Sequence, residues 1–198
     1  MPRLAALCII AFSLAITRPA SAQEWKPDEG FVSLYNGKDL TGWSYPAAGE
    51  AKEEVFDGKP EASDGRYSAK GDSIVVNPQD PAKGPRLRGL WTTQKFPKNF
   101  TLKIEFRAAV NADSGIFIRK PQLQCRDYLV AGPYKTLTKY KPQDWNQIIV
   151  TVKDGVAHCE CNGEVLESAL KLPETGGIGL EADRGQMEYR HIQIKEEK

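Results

Sequence analysis

The segment Arg107–Tyr128, RAAVNADSGIFIRKPQLQCRDY, concentrates side chains that could do chemistry. An apolar run, Ile116–Ile118, ends in Arg119, and a second extended run carries Gln122, Gln124 and, after a bend, Asp127. Alternate residues of an extended chain share a face. Gln122 and Gln124 therefore point one way, and Leu123 and Cys125 the other. The expected surface holds paired amides, a guanidinium and a carboxylate. Such a set suits a polyhydroxylated ligand better than a phosphate or a metal. A solvated sheet face is the competing explanation.

The elements that must hold these residues read as strands. Phe100, Leu102, Ile104 and Phe106 alternate with Thr101, Lys103, Glu105 and Arg107, the pattern of a half-buried strand. Gln147–Lys153, a turn at Asp154-Gly155, and Val156–Cys161 form a hairpin, and Asn162-Gly163 turns into Glu164–Leu166. Further strands are expected at Phe31–Leu34, Arg66–Tyr67, Ser73–Asn77, Gly177–Ala182 and Met187–Lys195. Tyr45–Gly65 and Pro78–Arg88 read as long loops. No window carries a helical apolar period. With 17 Gly and 13 Pro between short strands, the chain reads as all-β: one domain, an antiparallel two-sheet β-sandwich of jelly-roll type.

In the last strand, Tyr189, Ile192 and Ile194 look core-facing, but the alternation breaks at Arg190-His191, and a β-bulge there would restore it. His191 reads as a sheet-edge residue. His158 shares a face with Glu160 and Asn162 and reads as solvated. With two histidines in all, Ser-His or Cys-His nucleophilic chemistry has thin support.

The first residues read as an export signal. Arg3 is followed by apolar Leu4–Ile16 and the small-residue site Ala20-Ser21-Ala22, so a mature chain would begin near Gln23. Residues 23–30 form a lead-in to a domain over 31–198. The expected location is periplasmic or extracellular. No later segment is long and apolar enough to span a bilayer as a helix. Loss of Arg3 and Arg18 takes the formal charge from +1 to about −1. That balance gives no reason to expect nucleic acid or an anionic membrane as partner, and no protein partner can be inferred. Three cysteines remain: Cys125, Cys159 and Cys161. Cys159 and Cys161 share a strand face and cannot easily bridge each other. Three buried small hydrophobes is the preferred account, with a Cys125 bridge to either of them the alternative.

FVSLYNGKDLTGW (Phe31–Trp43) resembles the opening of the 3-keto-disaccharide hydrolase domain family of exported bacterial proteins. The resemblance continues through GLWTTQKFPKNFTLKIEFR (Gly89–Arg107), DSGIFIR (Asp113–Arg119), the hairpin Asp144–Glu164, and GGIGLEADRGQMEYRHIQIK (Gly176–Lys195). It implies a concanavalin-A-like (laminin-G-like) jelly roll and cleavage of glycosides whose sugar is a ketone at carbon 3. Two departures stand out. The family usually reads Tyr-Glu-Val-Gln-Ile where this chain has PQLQC, and many members carry a His where it has Asp183-Arg184-Gly185. Each change removes an acid or base.

Laminarinase-type hydrolases of this fold use Glu-x-Asp-x-x-Glu on one strand, and Gln122, Gln124 and Asp127 stand at that spacing here. A retaining mechanism needs two carboxyl groups, and an amide cannot replace either. The chemistry implied by the resemblance needs no such pair. A C3 ketone acidifies the C2 hydrogen, a base removes it, and the glycosidic oxygen leaves from C1 by β-elimination, with hydration to follow. In GGIGLEAD, Ile178, Leu180 and Ala182 face the core, so Gly179, Glu181 and Asp183 line the other face, where Gly179 would leave room for a ligand. Glu181 or Asp183 is the expected base and Arg119 the expected enolate stabiliser. Gln122 and Gln124 would orient hydroxyls, with Asp127 and Tyr128 at the rim. Trp43 and Trp91 could stack on a sugar but read more readily as core, and Asp113 as a turn former. No cofactor motif is evident. A structural Ca²⁺ held by Asp183, Asp127 and backbone carbonyls is one open alternative. The competing functions are a non-catalytic carbohydrate-binding module of the envelope and a purely structural envelope protein.

Overall fold

The computed structural model describes residues 25–49, 51–79 and 88–197. The export signal and most of the expected loop Pro78–Arg88 lie outside them. All regular elements among the described residues are strands, and every ladder between them is antiparallel.

One sheet is built around β7 (Phe100–Ala108), which pairs with β10 (Asn146–Lys153) on one side and β14 (Met187–Glu196) on the other. Beyond β10 come β11 (Val156–Cys161) and β12 (Glu164–Lys171). Beyond β14 come β5 (Ser73–Val76) and β4 (Tyr67–Lys70), with β1 (Val32–Ser33) on the far half of β14. The second sheet runs in the order β3 (Glu54–Val55), β2 (Trp43–Tyr45), β6 (Leu90–Thr92), β13 (Ile178–Leu180), β8 (Asp113–Ile118), β9 (Gln122–Arg126). The fold is therefore the two-sheet jelly-roll sandwich that the alternation predicts.

The core lies between the sheets. Leu102, Ile104, Phe106, Ile148, Val150 and Ile194 from one face Leu90, Ile116, Ile118, Leu123, Ile178 and Leu180 from the other, all essentially excluded from water. Each such side chain contributes about 2 kcal/mol of transfer free energy. The three cysteines are buried among them and free, so the bridged alternative does not occur. Burial raises all three thiol pKa values, those of Cys159 and Cys161 to about 12.

Two hairpins follow from their turn residues. Asp154-Gly155 and Asn162-Gly163 have positive φ at both positions, the geometry that matches strand twist in a two-residue loop. The bulge in β14 is present: its register against β7 shifts between Arg190 and Gln193, and His191 has φ 50°. Ile192 and Ile194 return to the core as a result. His191 is not at an edge, because β14 is a central strand whose outer neighbour changes from β5 to β1 at that point. The expected loop Tyr45–Gly65 contains β3, and Glu164–Leu166 extends to Lys171.

Candidate active site

The outward face of the six-stranded sheet is assembled by registers. Ser44, Trp91, Gly179, Phe117 and Gln122 are successive cross-strand partners and form one row. The next row holds Gly115 opposite Gln124, with Glu181 beside them through its amide, which donates to Gly115 O at 2.9 Å. A third row holds Asp113 opposite Arg126, with Arg184 bridged to Asp113. Core-facing neighbours alternate with all of these, as the pleat requires.

Glu181 lies just beyond the end of β13, where the regular ladder has stopped. Buried side chains hold the carbonyls of this segment instead. Tyr67 Oη donates to Leu180 O at 2.7 Å, Ser114 Oγ to Glu181 O at 2.6 Å, and Arg66 Nη2 to Asp183 O at 2.6 Å. The backbone that aims Glu181 is thus fixed from beneath. Its carboxylate accepts a hydrogen bond from the Gln122 amide, whose side chain folds across Gly115; a Cβ there would lie 2.8 Å from Gln122 Cδ. Burial, then the charges of Asp183 and Asp113, push the Glu181 pKa up to about 7. A carboxyl balanced there can accept a proton near neutral pH.

Around it, Asp113 Oδ2 pairs with Arg126 Nη1 at 2.9 Å and with Arg184 Nη2 at 3.7 Å, and Gln124 Nε2 reaches Asp113 Oδ1 at 3.3 Å. Arg126 is buried and its Nε has no partner among the described residues. Trp91 and Phe117 stack with centroids 5.0 Å apart and planes 16° apart, forming an aromatic platform in the row next to Glu181. Gly179 does not leave a gap for ligand. The Trp91 ring covers it so closely that a Cβ would lie 2.7 Å from Trp91 Cδ2. Trp43, in contrast, is fully buried and donates to Leu34 O at 2.8 Å.

Glu181, Asp183, Gln122 and Gln124 therefore share the face expected of them. Three other predicted residues do not. Arg119 has φ 60°, which turns its side chain out of the strand's alternation and into the protein. Its Nε donates to Phe96 O at 2.8 Å, Nη1 to Pro173 O at 2.9 Å and Nη2 to Lys98 O at 2.7 Å. It staples loops and has no donor aimed at the site. Asp127 is buried, accepting from the Asn111 backbone N–H at 3.1 Å and Gln143 Nε2 at 3.3 Å. Tyr128 is fully buried against Phe106, Tyr134 and Tyr140 and donates to Gln124 O at 2.8 Å. Alternation carries on through Arg126, so Arg126 reaches the face and Asp127 does not. Asp113 is a strand residue of the site rather than a turn former. Among the described residues there is no group of three or more His, Cys, Asp or Glu side chains that could hold a metal ion.

Solved structures share this architecture. A nominal glycosyl hydrolase of Parabacteroides distasonis superimposes with a TM-score of 0.62 at 18% identity, covering 86% of this chain and 95% of its own. A second from the same organism gives 0.54 at 16% identity, covering 69% and 93%. An alginate lyase of Corynebacterium sp. gives 0.51 at 11% identity, covering 85% and 100%. At these identities the likeness establishes the fold alone. Among curated proteins none matches the sequence. The model of the 3-keto-alpha-glucoside-1,2-lyase-like domain matches residues 30–195, and the chain belongs to that family.

Proposed function

We propose that this protein cleaves 3-keto-glycosides by proton abstraction at C2 and β-elimination, with Glu181 as the base, and that it does so outside the cytoplasm after loss of residues 1–22. The observation that carries the proposal is Glu181 itself: a half-buried carboxyl with a pKa of about 7, rigidly carried and flanked by amide donors and an aromatic platform. Family membership supports the substrate class.

In this reading Glu181 takes the C2 proton and the negative charge passes to the C3 oxygen. Gln122, Gln124 and Arg126 are the donors that share its face, replacing Arg119 in that role. The C1–O bond then breaks, its electron pair leaves with the glycosidic oxygen, and the proton held by Glu181 passes to that oxygen. A C1=C2 enone remains, to which water adds hydroxyl at C1 and hydrogen at C2. Trp91 and Phe117 offer a flat apolar surface for a sugar ring. The reaction needs neither a carboxylate nucleophile nor a cofactor.

One feature favours a second reading, a sugar-binding module without turnover. The side chain facing Glu181 is the Gln122 amide, which cannot serve as an acid. The two readings separate when the mature protein is incubated with 3-keto-glucosides and their unoxidised parents. Release of the leaving group from the keto forms alone, abolished by Glu181→Gln, supports elimination. Sugar binding without release from any keto form supports the module.

A further inference from the structure

The opposite side of the sandwich, the outer face of the eight-stranded sheet, carries a hollow of about 900 Å³ that the proposed elimination does not use. Trp25, Lys26, Tyr35, Asp72, Arg190 and His191 are among its lining residues. The β14 bulge makes it. His191 sits at φ 50°, a conformation that costs a non-glycine residue on the order of 1 kcal/mol and persists where its surroundings hold it. Here they do. The imidazole lies flat on Trp25 with centroids 4.5 Å apart and planes 7° apart, and its Nδ1 is 3.2 Å from Glu105 Oε2. The lead-in bearing Trp25 is itself tied down, since Asp28 N donates to Gln193 Oε1 at 2.7 Å and the Asp28 carboxylate pairs with Lys103 at 2.6 Å.

Most charge in the hollow is already satisfied. Arg190 pairs with Glu105 at 2.7 Å and stacks on Trp145 at 3.9 Å, and Tyr35 Oη donates to Gly71 O at 3.1 Å. What remains is specific. Asp72 Oδ2 lies 3.6 Å from Arg190 and 3.8 Å from His191, beyond hydrogen-bond reach of both, on a side chain that is 55% exposed. Among the described residues His191 is the sole ring stacked on Trp25. Asp72 Oδ1 accepts from Ser73 Oγ at 3.0 Å, which leaves Oδ2 as the open acceptor. A flat indole and an open carboxylate oxygen in one hollow match the two surfaces of a pyranose: apolar C–H groups on one face and vicinal hydroxyl donors at the edge. A sugar carboxylate placed against Asp72 would meet like charge, and the Arg190 guanidinium that could offset it is already paired with Glu105.

We infer that this hollow is a second carbohydrate site, non-catalytic and selective for neutral pyranose chains, with Trp25 as the stacking surface and Asp72 as the hydroxyl acceptor. It is independent of the Glu181 face, and a glycan held there would keep the protein on its polymer while the other face turns over.

The test is calorimetric titration of the mature Glu181→Gln protein with cellotetraose and laminaritetraose, and with a galacturonate tetramer as the anionic arm. At least one neutral tetrasaccharide binds. Trp25→Ala and Asp72→Asn each weaken that binding by about tenfold, the loss of one stacking or charge-assisted contact, while Gln122→Ala leaves it unchanged. Melting temperatures within a degree or so of the parent show that the loss is local, as expected for a surface lead-in and an isosteric change. Absence of neutral binding, equal affinity in Trp25→Ala and Asp72→Asn, loss in Gln122→Ala, or preference for the galacturonate tetramer each overturns the inference.

Discussion

Under the proposed elimination, Glu181 links stability and turnover in opposite senses. Its unfolded pKa is about 4.3, and burial followed by the Asp183 and Asp113 charges raises it to about 7 in the folded chain. Between those values the folded state holds a proton that the unfolded state has released. Stability therefore falls as pH rises through this window, and the penalty is complete above about 7. Glu181→Gln cannot titrate. Its melting temperature is expected to exceed that of the parent at pH 8 and to match it at pH 4; a calorimetric scan at both values checks this. Elimination needs the opposite protonation state. On 3-keto-glucosides kcat/KM should climb with pH to a plateau above about 7, and Glu181→Gln should lose on the order of 10²- to 10⁴-fold, the usual worth of a positioned base. A flat pH profile would remove Glu181 from the role.

At the level of elements, alternation decides what could be read in advance. Ile178, Leu180 and Ala182 face inward and Glu181 outward as the sequence pattern requires, and the Gln122/Gln124 face follows the same rule. Arg119 escapes the rule because its φ of 60° leaves the strand region, and no residue pattern signals that. Asp127 and Tyr128 fall inside because alternation along β9 gives the outer side to Arg126, itself buried by its pairing with Asp113, and the chain turns inward after it. Asp113 becomes visible as a site residue only through register, and register also places Trp91, read more readily as core, on the outer face, since cross-strand pairing is set by distant segments. Arg119 then carries a structural prediction. Arg119→Ala removes three hydrogen bonds from a charged donor to loop carbonyls, one of them fully buried, and should cost about 3 kcal/mol in denaturant unfolding. Its kcat/KM at a temperature where it stays folded should be that of the parent, whereas a catalytic Arg119 would lose turnover. Gly179→Ala tests the platform. The added methyl collides with the Trp91 ring, and a shifted indole emission together with a raised KM is expected.

The whole molecule packs two sheets around one apolar core, and the thiols report on that core. Cys125 sits behind the Glu181 face while Cys159 and Cys161 line the other sheet, so together they sample both layers of the sandwich. Their burial raises each thiol pKa far above neutrality, which removes the reactive thiolate as well as access to it. In native buffer at pH 8 the mature protein should show no thiol titre with an aromatic disulfide reagent, and in denaturant it should show all three. Labelling under native conditions then requires opening of the sandwich, so its rate should follow the unfolding equilibrium when reclosing is fast. Ligand bound only to the folded state slows it in proportion to occupancy. A neutral tetrasaccharide should therefore protect the parent and Glu181→Gln alike, and protect Trp25→Ala less. Prompt native reaction at any one thiol would mean that the layer around it is open, and with it the rigid support beneath Glu181.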